Sequence, residues 1–343
     1  MQSKTVLFIV RRGINALITV VILIVFLFSL IHIIAPSPAA MARIYAGSPH
    51  VPPAELLTIE KTYGLNKPIY EQMIIYMVAI FHGNLGVDPT YKVPEISLIA
   101  KFLPRTLELV IPAIILSVAI GIFTGALAAS KRRKPTDHVV KGVYLATWAS
   151  PPFLVAAMLQ LFIGYDLGLL PAVHMVNPLL NTPQNYTSFP ILNSIIARDW
   201  PYFISLIHHM ILPVIALSLI SFGIVTRLTR SSMLDIMETD YFRLSIMKGV
   251  PRKKAIYSVA LRNASIPLIT LIALLFAYSV AGAVIIEDIF DYHGMGWFIV
   301  HAIYTLDYIA ILDTTIIVGL SVIAANLIAD ILYGVLDPRV RLE

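Results

Sequence analysis

INALITVVILIVFLFSLIHIIA, residues 14–35, contains no charged side chain. At 1.5 Å per residue, a helix of this length measures about 33 Å, close to the roughly 30 Å hydrocarbon core of a bilayer. Lys4, Arg11 and Arg12 precede the run and Ala40-Met41-Ala42 follows it, as in a secretory signal with its cleavage site. The run is longer than the roughly 7–15 residues of a signal core, so it reads as an uncleaved anchor.

Charge-poor gaps of the same kind recur at 109–130, 142–165, 200–226 and 263–286, and around 314–336, where only Asp330 interrupts. The chain is 58% hydrophobic and 13% charged, with mean hydropathy +0.83. Soluble domains carry about 25% charged residues. The expected fold is an all-α polytopic membrane protein with six transmembrane helices. The apolar stretch Met73–Phe81 is too short to span and is expected at the interface or within a small domain. Six spans place both termini on one side. Of the 25 Lys and Arg, 18 fall on that side and 7 on the other. Basic residues favour the cytoplasmic side of short loops, so both termini are expected to be cytoplasmic. The expected organisation is a cytoplasmic N-terminus and first helix (1–35), a proline-rich extracytoplasmic segment between helices 1 and 2 (36–106), and a transmembrane core (107–343). The core includes a cytoplasmic loop at 227–263. The outer loop 166–199 carries Pro171, Pro178, Pro183 and Pro190 and reads as irregular.

Several chemistries lack their residues. Cysteine is absent, and no Gly-Lys dipeptide exists to build a phosphate-binding P-loop. No H-E-x-x-H occurs. His208 and His209 are adjacent and point about 100° apart on a helix, so they do not chelate one metal together. No metal site is expected. His32 reads as a packed or interfacial histidine. Asp330 is the carboxylate well inside a span, with Glu108 and Asp313 at span edges. An ion-driven carrier would usually show more, and Asp330 reads as the partner of a basic group. No internal repeat of the kind common in secondary transporters is visible. No nucleophile–base pair suggests an intramembrane hydrolase.

The cytoplasmic loop contains YFRLSIMKGVPRKKAIYSVALRN, residues 241–263, with six basic and no acidic side chains. Gly249 fits a helix C′ position requiring φ > 0. Pro251 fits the first position of a new helix, and Val250 is pushed toward extended geometry. Tyr241, Leu244 and Met247 share a face, with Phe242 and Ile246 beside it. The charges alone could enforce topology or meet anionic lipid. A glycine-broken helix pair with an apolar ridge and a charged rim instead suits docking to a cytosolic partner.

The segment resembles the cytoplasmic loop of ATP-binding-cassette importer permeases, in the version found in the oligopeptide/dipeptide (peptide/nickel) branch. Tyr241, Arg243, Lys248, Gly249, Ala260, Leu261, Arg262, Asn263, Ala264 and Pro267 match that version. Arg243-Leu244-Ser245 depart from the E-A-A with which the loop usually begins. YGLNKPIYEQ (63–72), GNLG (83–86), LPRTLEL (103–109), SPPF (150–153), LGLLPA (167–172), TRLTRSSMLD (226–235), GAVIIEDIFDYHGMG (282–296) and DILYGVLDPRVR (330–341) look like further landmarks. The long segment after the first span is similar to that of the B-type subunit.

The resemblance implies a type I importer permease fold, and a non-enzymatic subunit of the cell membrane that forms half of a path for di- or oligopeptides. Oligosaccharides and nickel complexes are the alternative cargoes, and a secondary transporter the rival mechanism. The implied partners are a second, C-type permease, two cytosolic ATPases that bind the ATP and Mg²⁺, an extracytoplasmic binding protein and membrane lipid. Nucleic acid is not among them, and this chain is expected to hold no cofactor. Gly249 and Pro251 would shape the docking knob. Tyr241, Phe242, Leu244 and Met247 would fill the ATPase cleft, Lys248, Arg252, Lys253 and Lys254 would supply the rim or meet acidic ATPase residues, and Arg243 belongs to the same coupling loop. Trp148, Ser150, Gln160, Ser218, Ser221, Tyr278 and Ser279 are candidates for the substrate path, although small polar residues in membranes more often join helices. Glu287, Asp288 and Asp291 form a candidate outer loop that either meets a binding protein or is merely solvated.

Overall fold

The computed structural model describes residues 2–47 and 50–336. The described residues are helical throughout, apart from loops and one isolated bridge between Val87 and Pro94. Five helices are long and apolar enough to cross a membrane, and a bent pair makes a sixth crossing if counted as one span.

Helix α1 (Gln2–Ile34) is continuous. Its one buried face, including Ile24, Leu27, Phe28 and Ile31, packs on α15 (Tyr308–Leu336). Met41 and Ala42 of the apparent cleavage site are buried inside α2 (Pro38–Ala46). Ser37 caps α2 by accepting the Ala40 N–H, and Gly47 ends it with φ +66°. Helices α3 (Pro53–Tyr63) and α4 (Ile69–Phe81) complete the small domain after α1. No residue of α4 is fully buried, and Ile74, Val78 and Phe81 lie exposed on it, the pattern of a helix lying in the membrane interface.

Helix α5 (Glu95–Ser130) begins inside the stretch expected to be extracytoplasmic. Its 36 residues measure about 54 Å, so it protrudes well beyond the bilayer. It forms the centre of the fold with α9 (Trp200–Met237), which Asp199 caps at the Tyr202 N–H. Gly121 and Gly125 let the two backbones touch. A Cβ on Gly125 would stand 2.7 Å from the Thr226 carbonyl oxygen. The Thr124 and Thr226 hydroxyls meet across the contact at 2.8 Å. The spacing G-x-x-x-G at 121–125 is the sequence signal for such an approach.

The gap 142–165 was expected to form a single transmembrane helix. It is instead two helices, α6 (Pro135–Ala149) and α7 (Pro152–Leu159, continued by wide π-type turns to Asp166), bent by 103°. Ser150 is extended at ψ 134°. It precedes proline, which disfavours the helical conformation, and the second proline then starts α7.

Helix α8 (Pro190–Ile196) covers the end of α9. The loop after α9 forms α10 (Asp240–Met247), α11 (Arg252–Lys254) and α12 (Leu261–Ala264). Helix α13 (Ile266–Ile289) then packs against α5, α9 and α15. Between α13 and α15, the presumed outer loop holds a short helix, α14 (Met295–Thr305). Its Met295, Phe298 and Ala302 pack on the protruding start of α5, where Phe298 stacks on Phe102 at 4.8 Å.

Candidate functional site

The basic loop is a rigid knob. Thr239 caps α10 through the Phe242 N–H at 3.3 Å. The helix closes with paired bonds from Gly249 N–H to the Ile246 carbonyl (2.9 Å) and from Val250 N–H to the Ser245 carbonyl (3.2 Å). Gly249 stands at φ +83°. This is a Schellman closure, and the apolar Val250 completes it by packing on the cluster beneath. Pro251 is the N-cap of α11 rather than its first helical residue, one position earlier than expected. Wide π-type turns over Ala255–Ala260 then carry the chain into α12.

Tyr241, Leu244 and Met247 are 63%, 45% and 76% exposed, so three of the four residues expected to face a partner do stand free. Phe242 does not. It is buried with Ala126, Ala129, Met233, Ala255 and Ile256. One residue after Tyr241, it points about 100° round the helix, into the chain's own body, where it anchors the knob. Lys248, Arg252, Lys253 and Lys254 are all exposed around the ridge. Arg243 is exposed as well, 3.5 Å from the exposed Asp240.

Helix α6 is tied to α9 by an ion pair that sequence reasoning missed. Asp137, at the start of α6, is fully buried. It accepts two hydrogen bonds from Arg230 of α9, at 2.7 and 3.0 Å, and one from the Arg133 N–H, while Lys141 stands at 3.3 Å. Nothing local marks the pair, because 93 residues separate its members. Arg230→Ala is expected to lower stability by about 3 kcal/mol, since it leaves a buried carboxylate with only Lys141 and the Arg133 N–H to meet it. Thermal unfolding of the purified protein measures this, and an unchanged midpoint would contradict it.

The candidate path residues differ in burial and bonding. Ser218 and Ser279 are buried between helices, and the Ser218 hydroxyl donates to the Ile215 carbonyl. Gln160 donates to the carbonyls of Ala172 and Ile289 at 3.0 and 2.6 Å, tying the bent pair to α13. Ser150 bonds back to the Ala146 carbonyl at 2.7 Å. Gln160 thus joins helices, and Ser218 and Ser150 bond locally. Trp148 and Tyr278 lie open, 58% and 68% exposed, and Ser221 is half-buried.

The acidic group expected in an outer loop also divides. Glu287 and Asp288 belong to the last turns of α13, not to a loop. Glu287 is fully buried, accepting from the Thr106 hydroxyl (2.6 Å) and the Trp297 N–H (3.0 Å). It locks α14 against α5 and α13 and is not available to a partner. Gly296 permits this fit, since a Cβ there would stand 2.4 Å from Val284 Cα. Asp288 is exposed. Asp291 bridges His174 (2.6 Å) and His293 (3.0 Å). His209 bonds the Ser205 carbonyl at 2.7 Å, and no cluster among the described residues has metal-binding geometry. Glu108 accepts the Ile191 N–H at 2.9 Å. The side chain of Asp330 lies outside the described residues.

A multi-pass helical body with a rigid basic knob on one face is a membrane transport component, and the chain belongs to the family of binding-protein-dependent transport system inner membrane components, which matches residues 121–342. The N-terminal family of the same transport system membrane components matches residues 5–94. It is a multi-pass protein of the cytoplasmic membrane and a transport subunit. Among its relatives, the dipeptide transport system permease protein DppB of Escherichia coli (strain K12) is 33% identical over 97% of this chain and 98% of its own length. The di/tripeptide transport system permease protein DppB of Pseudomonas aeruginosa is 32% identical over 92% of each chain. The oligopeptide transport system permease protein OppB of Haemophilus influenzae is 30% identical over 97% of this chain and 99% of its own length.

Proposed function

We propose that this chain is one of two non-identical permease subunits of an ATP-driven importer for di- or oligopeptides. In this reading the bent pair counts as one span, giving six, and both termini are cytoplasmic. A binding protein delivers substrate to the face carrying residues 36–94. Two cytosolic ATPases bind the nucleotide and Mg²⁺, and the chain itself holds no cofactor.

The observation that carries the reading is the knob. Tyr241, Leu244 and Met247 form an exposed ridge within a basic rim, while Phe242 and the Schellman closure fix it to α5 and α9. A ridge joined rigidly to the central helices transmits movement, and a flexible loop does not. Closure of the ATPases shifts the permease between inward- and outward-open states only through contacts that differ between them. The relatives named for dipeptide, di/tripeptide and oligopeptide transport support peptides as cargo.

In cells lacking this chain, wild type is expected to restore uptake of labelled dipeptides. The double variant Leu244→Asp, Met247→Asp is expected to reduce it at least about tenfold at equal membrane level, consistent with loss of apolar anchors from an interface. Full uptake by the double variant would overturn the docking role. Restored uptake of oligosaccharides or nickel complexes in place of peptides would overturn the cargo and leave the permease standing.

A further inference from the structure

A cavity of about 490 Å³ lies among α1, α4 and the start of α15, on the face that carries residues 36–94. This is within the usual range for small-molecule sites. Its wall is mainly apolar and aromatic, with Phe28, Tyr45 and Tyr76 prominent. Asp313 lines it while being only 2% exposed.

The polar groups of the wall fall into two sets. His32 is served by the Phe28 carbonyl (2.8 Å) and by Gln72 (3.2 Å), and Gln72 in turn donates to the carbonyls of Leu65 and Lys67. Asp313 Oδ2 and the Tyr76 hydroxyl are buried and have no hydrogen-bond partner among the described residues. Leaving such groups unmet costs roughly 1–3 kcal/mol each, and more for a charge, so ordered water or a bound polar group must meet them.

The sign of that occupant follows from its surroundings. The charged groups acting on Asp313 are Glu95, Asp307 and Asp88, all carboxylates. All three are buried. Asp88 and Asp307 are partly served by backbone N–H groups and by the Thr90 hydroxyl, and the buried carboxyls of Glu95 and Asp88 hydrogen-bond one another. Burial also pushes the Asp88 carboxyl above its usual range. Asp88 and Glu95 share a proton in that bond, which leaves Asp313 as the acid that lines the cavity, with an unmet oxygen that a positive group would serve. No three of these carboxyl groups stand in metal-binding geometry, and the cavity is far larger than a bare ion. An organic cation fits both facts. A primary ammonium carries three donors, enough for Asp313 Oδ2 and the Tyr76 oxygen together, and the tyrosine rings favour a cation near their faces.

We propose that this cavity binds a primary ammonium group carried on an apolar body, with Asp313 as its counter-charge and Tyr45 and Tyr76 as its flanks. The ammonium can come from a free amine or from an aminophospholipid headgroup whose chain lies along α1 and α4.

The test uses the full chain, with the subunits that co-purify with it, in phosphatidylcholine nanodiscs. Binding of L-phenylalaninamide is compared with that of N-acetyl-L-phenylalaninamide, which has the same body and no charge. Wild type is expected to prefer the free amine at least about tenfold, the effect of one charge-assisted hydrogen bond. Asp313→Asn is expected to remove that preference. Ala79→Phe, which fills the cavity and leaves Asp313 in place, is expected to weaken binding of the amine by a similar factor. Phosphatidylethanolamine in the nanodisc displaces the amine if lipid is the natural source and leaves it bound if a soluble amine is. Equal binding of the two probes by wild type, or a preference that survives both substitutions, would overturn the proposal. The comparison in wild type stands even if a variant fails to fold.

Discussion

Gly125→Leu is expected to stop α5 and α9 from packing and to leave little monodisperse protein in the membrane. The first atom of the new side chain would stand 2.7 Å from both the Thr226 carbonyl oxygen and Thr229 Cβ. A backbone oxygen cannot rotate away, so the helices must separate. Separation breaks the Thr124–Thr226 hydroxyl contact at 2.8 Å and opens the central packing of the fold. The cost is expected to be about 3 kcal/mol, at the upper end for an overpacked site. The control is Gly142→Ala, where nothing lies within 4 Å of the new Cβ. There the gain in helix propensity is expected to make the change neutral or slightly stabilising. Size-exclusion profiles and thermal midpoints of the three proteins decide the matter. A Gly125→Leu protein as abundant and stable as wild type would show that the close approach is dispensable.

Gly249→Trp is expected to have the opposite signature: a chain that inserts and folds but no longer couples. Nothing stands within 4 Å of a Cβ at Gly249, so the indole meets no wall inside the chain. The residue sits at φ +83°, where a bulky side chain costs about 1–2 kcal/mol. That strain acts on the Schellman closure and hence on the aim of the Tyr241–Leu244–Met247 ridge, and the indole itself projects from the docking face. Under the proposed function, the variant is expected to lose its co-purifying ATPase, or to keep it with hydrolysis no longer tied to uptake. Gly249→Asn, which tolerates the left-handed conformation, is expected to remain close to wild type. Normal complex yield and normal uptake in Gly249→Trp would sink the docking role.

The two glycines were not equally legible. Gly249 announces itself locally, because a glycine two residues before a proline at the end of an apolar, helical stretch has few other uses. Gly125 acquires its meaning from α9, about 100 residues later, and only the spacing to Gly121 hints at it. The same division runs through the site residues. Tyr241, Leu244 and Met247 share a helical face and are exposed together. Phe242 was assigned to the same surface, but Ala126 and Ala129, which help to bury it, belong to α5, far back in the chain. Glu287 reads as a loop acid until α14 folds back and encloses it with Thr106 and the Trp297 N–H. The break at Ser150 was readable from its two following prolines, but a charge-poor gap alone does not distinguish one straight helix from a bent pair.

The sequence by itself determined that this is a helical membrane protein. It also determined where the apolar helices lie, where the charges concentrate and where the basic loop must turn. These are sums over neighbouring residues, since hydropathy, charge counts and turn chemistry are set within a few positions of the chain. Only the tertiary structure decided which polar groups are buried and what they face. Asp137 finds Arg230, and Thr90 finds Asp307 across 217 residues. Asp88, Glu95, Asp307 and Asp313 come from two distant stretches to enclose one acidic neighbourhood beside a cavity. Packing brings such groups together, and the cost of a buried charge depends on the neighbours it acquires there.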